Sequence, residues 1–223
     1  MASLFITGDT HFGHAEAIGM FRRPFQSVEE MDQAMLDGIN RVVGRRDRLI
    51  HIGDFMGPSD WKERETRRRA RSLRDGIRCR EVVLVRGNHD PRGVKAFERL
   101  FQECHDLLSF RGWGGGRERV TLCHYPLRLW RGMYGGAVHL YGHAHGSQPE
   151  VGRSTDVGVD CWGFRPVPLE RLMGLLTERA FERPAEWPRR QEARDPAAES
   201  TGTAPGAAPR TAGTAPGTAP LAP

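Results

Sequence analysis

Lysine is almost missing from this chain: of 33 basic residues only Lys62 and Lys95 are lysine, and the other 31 are arginine. So complete a skew reads as coding bias, and the formal charge of +5 is therefore discounted as a sign of a polyanionic partner. Cysteine is scarce as well. Cys79, Cys104, Cys123 and Cys161 show no Cys-x-x-Cys spacing, which leaves reduced, partly buried thiols as the simplest reading. No apolar run reaches bilayer length, and no basic leader precedes a long apolar stretch at the N-terminus. Neither a membrane span nor a secretory signal is expected, and the chain reads as cytoplasmic. At 223 residues, 38% hydrophobic and 27% charged, it has room for one domain with a substantial core.

What the sequence does hold is a series of short polar blocks, each following an apolar run. Leu4-Phe5-Ile6 opens into Asp9-Thr10-His11, and Leu49–Ile52 runs into Gly53-Asp54. Val82-Val83-Leu84-Val85 delivers Gly87-Asn88-His89-Asp90. A run at 120–123 ends in His124, and Ala137–Tyr141 feeds Gly142-His143-Ala144-His145. In extended backbone, residues i and i+2 point the same way, so Asp9 and His11 can reach one ion. Each block sits at the C-terminal end of a predicted strand, where open α/β sheets bind ligands. Asp9, His11, Asp54, Asn88, His124, His143 and His145 are oxygen and imidazole donors without thiolate, suited to Mn, Fe, Zn or Mg ions. Seven donors are too many for one tetrahedral ion but fit two if Asp54 bridges.

Between the blocks, Ser27 and Glu30 predict a capping box ahead of Met31, Met35, Ile39 and Val42, a helix ending near Gly44. A second, arginine-rich helix is predicted from Ser59 to Arg74, with Arg64, Arg67, Arg68, Arg69 and Arg71 on a solvated face or, alternatively, lining a groove for a polyanion. Pro91 suits the first turn of a third helix carrying Val94, Phe97, Leu100 and Phe101. Strands are expected near 107–110 and 120–123, joined by a hairpin at Gly114-Gly115-Gly116. Another is expected at 157–160, and a last helix from Leu169 to Ala180. Beyond residue 182 the composition turns to Ala, Pro, Gly and Thr, with eight of fifteen prolines, which predicts a disordered tail over 183–223 and an ordered domain over 1–182. Strands alternating with helices, then clustering, predict an α/β sandwich of two mixed β-sheets flanked by helices.

In order and spacing, Asp-x-His, Gly-Asp, Gly-Asn-His-Asp, His and Gly-His-x-His resemble the five blocks of the calcineurin-like metallophosphoesterases, across roughly residues 4–165. Gly13-His14, Arg23-Pro24-Phe25, His124-Tyr125-Pro126 and Asp160 with Arg165-Pro166-Val167 are similar to a small bacterial and phage branch of that superfamily. The resemblance implies that Asp9, His11 and His145 hold one divalent ion and Asn88, His124 and His143 a second, with Asp54 between. Mn2+ is foremost, with Fe, Zn, Mg or Ni also suited. It implies in-line attack on phosphorus by a metal-bridging hydroxide, with His89 protonating the leaving oxygen and Asp90 orienting that imidazole. A phosphodiester, as a small molecule or nucleotide, is the favoured substrate. The alternatives are a monoester, a nucleic acid guided by the Arg64–Arg71 helix, or a non-catalytic scaffold. His14, Arg22 and Arg23 are candidate substrate contacts, the two arginines alternatively forming surface ion pairs. His51, His105 and His139 read as structural, Cys123 as strand packing, and Asn40 and Asp160 stay open.

Overall fold

A strand built from Val82-Val83-Leu84-Val85 has no polar side to show to water, so both of its faces must be covered. In the computed structural model, which describes residues 2–112 and 118–179, that strand lies inside a five-stranded sheet. β1 (Leu4–Thr7), β2 (Arg48–His51), β3 (Glu81–Val85) and β4 (Glu103–His105) run parallel, and β9 (Val167–Pro168) pairs antiparallel with β1. A four-stranded sheet holds β5 (Leu108–Arg111), β6 (Arg119–Leu122), β7 (Val138–Tyr141) and β8 (Ser154–Asp156). Within it β6, β7 and β8 are parallel, and β5 is antiparallel to β6.

Alternation along the strands splits the core in two. Leu4, Ile6, Ile50, Ile52, Val83 and Val85 meet Val120, Leu122, Val138 and Leu140 between the sheets, together with Leu169, Leu172 and Leu176 of α5 (Leu169–Thr177). On the opposite face Phe5, Leu49, Val82 and Leu84 pack against two helices. Met31, Met35 and Ile39 come from α2 (Val28–Val42), and Ala70 and Leu73 from α3 (Arg64–Gly76). The chain is thus the expected α/β sandwich of two mixed sheets flanked by helices.

Some elements depart from the sequence reading. A short helix α1 (Glu16–Met20) was not anticipated, nor was β4, a three-residue strand with polar ends. Pro91 lies in a turn, and the short helix after it, α4, spans Lys95–Glu98. Ser27 caps α2 by accepting from the Glu30 amide at 3.1 Å, but the Glu30 carboxylate accepts from the Gln26 amide and not from Ser27, so the box closes one residue early. In place of the strand expected at 157–160, β8 lies three residues earlier, because 157–161 turns over the sheet end and becomes the single helical turn Val159–Cys161. The glycine turn at 114–116 and the tail beyond 182 lie outside the described residues.

Candidate metal centre

Parallel strands β1, β2 and β3 of one sheet and β6 and β7 of the other release their chains at the same end, and that is why five blocks converge. The loops stay tied as they leave: the Asp9 amide donates to Gly53 O at 2.9 Å, the His11 amide to Asp54 O at 3.0 Å and the Gly142 amide to His124 O at 3.0 Å. Gly8 bridges Gly158, which joins the two sheets at this end. Among the described residues seven non-glycines have positive φ, and five of them are Asp9 (55°), His11 (51°), Asp54 (53°), His143 (65°) and His145 (47°). Each such residue costs about 1–3 kcal/mol and persists only where the surroundings over-determine it. Strain concentrated on candidate ligands is a property of sites.

Two glycines explain their own place in the motifs. A Cβ at Gly87 would lie 2.1 Å from Asp54 Oδ1, and one at Gly142 would lie 2.5 Å from Asp9 Oδ2. Both carboxylates lean on backbone that must carry no side chain.

Asp9, His11 and His145 place one ligand atom each within 4.8 Å of one another. Partners on the far side of each ring decide which nitrogen faces inward. His145 Nδ1 lies 2.7 Å from Asp160 Oδ2 and donates to it, leaving the Nε2 lone pair for the cluster. His11 Nδ1 lies 3.2 Å from His14 Nδ1. Its Nε2 is buried with no hydrogen-bond partner, 3.6 Å from Asp54 Oδ2. Burial also holds the His11 imidazole far below its ordinary pKa, at about 2, so the ring is neutral. A neutral, buried, unpartnered imidazole nitrogen facing two carboxylates fits a metal ion and little else.

Asp54, His124 and His143 form a second triad, and Asp54 with His11 and His89 a third. Asp54 is the shared member: Oδ1 accepts from the His89 amide at 2.9 Å, while Oδ2 lies 3.4 Å from His124 Nε2 and 3.6 Å from His11 Nε2. Burial would raise the Asp54 pKa, yet the His124 ring, the His89 amide and the His11 ring outweigh it and set it at about 2. Asp9 is different. Burial lifts it to about 7 despite the opposing His124 and His145. Burial lowers His124, but Asp54 and Asp9 overcome this and raise it to about 9. His124 Nδ1 is held by Ile52 O at 2.9 Å, and Nε2 faces Asn88 Oδ1 at 3.1 Å, which brings Asn88 to the second triad. Asn88 and His143 are exposed; Asp9, His11, Asp54 and His124 are buried.

The remaining expectations divide. Asp90 does not orient the His89 ring: its oxygens accept from the amides of Asp54, Phe55 and Gly87 at 2.8, 3.0 and 2.8 Å, so it shapes the two loops instead. The His89 ring lies toward the candidate ligands, Nε2 being 3.9 Å from Asp54 Oδ2. His14 supports His11 rather than facing outward alone. Arg23 is neither a substrate contact nor a surface ion pair. Its buried guanidinium binds both Asp160 oxygens at 2.8 Å and donates to Asp9 O at 2.7 Å and Thr10 O at 3.0 Å. That settles Asp160 as well, as the joint between Arg23 and His145. Arg22 is exposed in the adjoining turn. His51 hydrogen-bonds Thr10 Oγ1, His139 holds Thr121 O and the Leu127 amide, and His105 pairs with Glu103, all outside the triads. Asn40 ties Gly76 O and the Arg78 amide, a structural clip.

Two supporting residues escaped the sequence reading. Phe21 stacks on the His145 ring at 3.4 Å between centroids, and Asp156 accepts from the amides of Gly146 and Gly158. Neither belongs to a block, and only the tertiary fold brings them in.

With this geometry in hand, comparison with known proteins is specific. A family model described as calcineurin-like phosphoesterase matches residues 2–164. An uncharacterized protein of Methanocaldococcus jannaschii is 27% identical over 183 residues, spanning 79% of this chain and 92% of its own. Among solved structures, a protein of unknown function from Aquifex aeolicus is similar in fold, with a TM-score of 0.58 and 22% identity over 78% of this chain and all of its own. A nuclease from Pseudomonas putida has a TM-score of 0.41 and 24% identity over 64% of this chain and 61% of its own.

Proposed function

Because this chain belongs to the calcineurin-like phosphoesterase family, we propose that it is a two-metal hydrolase of phosphodiesters. The observation that carries the reading is the convergence of donors from five strand ends around the Asp54 carboxylate, five of those donors held in left-handed backbone. Asp9, His11 and His145 would hold one divalent ion and Asn88, His124 and His143 the other, with Asp54 between; the oxygen and nitrogen donor set suits Mn2+ foremost. Bound there, the ions would supply positive charge for the phosphoryl oxygens and acidify a water between them.

The chain's own groups do the rest. Asp160 and Ile52 O keep the lone pairs of His145 and His124 turned inward. The His89 ring, half-buried at the edge of the cluster, would protonate the departing oxygen. With Asp90 engaged by backbone, the preference for a diester rests on His89 alone, since an alkoxide needs that proton. Arg22, exposed in the turn beside Phe21, would meet the substrate from the side of the first triad.

The test is turnover of bis(p-nitrophenyl) phosphate against p-nitrophenyl phosphate by Mn2+-loaded protein. The diester should be the faster, and His89→Ala should lower kcat by about 10²–10⁴ on an alkyl phosphodiester, whose alkoxide must be protonated to leave, and far less on the nitrophenyl diester, while leaving two metal equivalents bound. Faster turnover of the monoester would overturn the diester preference; equal losses on the alkyl and nitrophenyl diesters, or no loss on the alkyl diester, would overturn the role of His89.

A further inference from the structure

Coding bias explains why this chain uses arginine, not why six of its arginines sit on one helix. In α3, three of them are engaged by the fold. Arg74 is buried and donates to Leu100 O at 3.0 Å, Arg67 donates to Trp61 O and Lys62 O, and Arg69 binds Asp32 at 2.9 Å. Arg64, Arg68 and Arg71 point to solvent at i, i+4 and i+7, one face over about 10 Å of helix. Arg68 keeps only an exposed contact to Glu65, at 2.8 Å. Beside it opens a cleft of about 340 Å3 lined by Glu65, Arg68, Arg69 and Ser72.

The helix that carries this face is tied to the candidate centre through Arg69. Asp32 takes Arg69 on one oxygen and the Gly13 amide on the other, at 2.9 and 2.8 Å, and Gly13 is two residues from His11. The segment leading to α3 also leaves from the centre, since a Cβ at Gly57 would lie 2.4 Å from that of His14. Beyond the second triad the Tyr125 ring is 41% exposed and stands 4.8 Å from the His143 ring. Exposed cations therefore lie on the helix tied to the first triad, and an open aromatic ring lies beside the second.

We propose that the Arg64–Arg68–Arg71 face and its cleft bind the backbone phosphates of a nucleic-acid strand that crosses the metal centre toward Tyr125. A chain bearing one negative charge per repeat can contact several cations at once, and its bases can stack on an exposed ring. The inference takes the position of the strand from the phosphoesterase reading, but its binding does not depend on catalysis.

The experiment is fluorescence anisotropy of a labelled, phosphorothioate-linked single-stranded oligonucleotide on Mn2+-loaded full-length protein, titrated across salt concentrations. R64A/R68A/R71A should bind at least about tenfold more weakly, and its log–log salt slope should be shallower by about 2. The control R45A/R46A removes exposed charge from the loop before β2, at the other end of the sheet, and should match wild type. An unchanged slope in the triple variant, an equal loss in the control, or no binding by wild type overturns the proposal. Should wild type bind as stated yet hydrolyse no bis ester, the phosphoesterase reading falls and the binding face stands.

Discussion

His145 is a ligand candidate only because something else decides where its proton sits. Asp160 takes Nδ1–H, and Arg23 in turn grips Asp160 by two nitrogens. Asp160→Asn keeps the shape and loses the charge, so Mn2+ affinity should fall by about 10–100-fold in calorimetric titration. Metal uptake should also expel protons. Below pH 7 the metal-free centre carries one on Asp9, whose pKa is about 7, and another on His124, whose pKa is about 9. Raising the pH from 6 to 8 removes the first beforehand, so the number released on binding should drop by roughly one. Titration in buffers of differing ionisation enthalpy measures it. At this scale the candidate donors that the fold brings together could be named from the sequence, since motif spacing encodes which atoms a strand end presents. The partners could not: Asp160 is 137 residues from Arg23, and nothing local marks Phe21 or Asp156.

Elements make the site rigid, and here loops matter more than strands. Gly87→Ala puts a methyl into the space of Asp54 Oδ1 and should leave a folded protein with fewer than two metals bound, as counted by atomic emission. Arg23→Ala cuts the tie from the Asp9-Thr10 carbonyls to Asp160 and strands a buried carboxylate. It should cost about 3–5 kcal/mol in urea unfolding, and Arg23→Lys should recover little, because an ammonium cannot make the paired contact. β3 was legible to the residue, since five consecutive positions leave a strand no alternative. β4 was not: three residues with polar ends acquire strand geometry only by pairing with β3. The expected strand at 157–160 failed for a related reason, as Val157 and Val159 are buried by the joint between sheets and not by a ladder.

At the scale of the molecule, the two sheets share one hydrophobic layer and one functional end, and no helix among the described residues is long and apolar enough to cross a membrane. The two halves of the centre differ in their access to water. Asp9 and His11 are 0% and 1% exposed, whereas Asn88 and His143 lie open. A chelator should therefore strip Co2+-loaded protein in two kinetic phases, the faster one abolished by His143→Ala. Under the proposed hydrolysis, the resting protein in a metal-poor medium would then keep one ion and wait for the other, so the abundance of free metal outside would throttle turnover without any dedicated regulator.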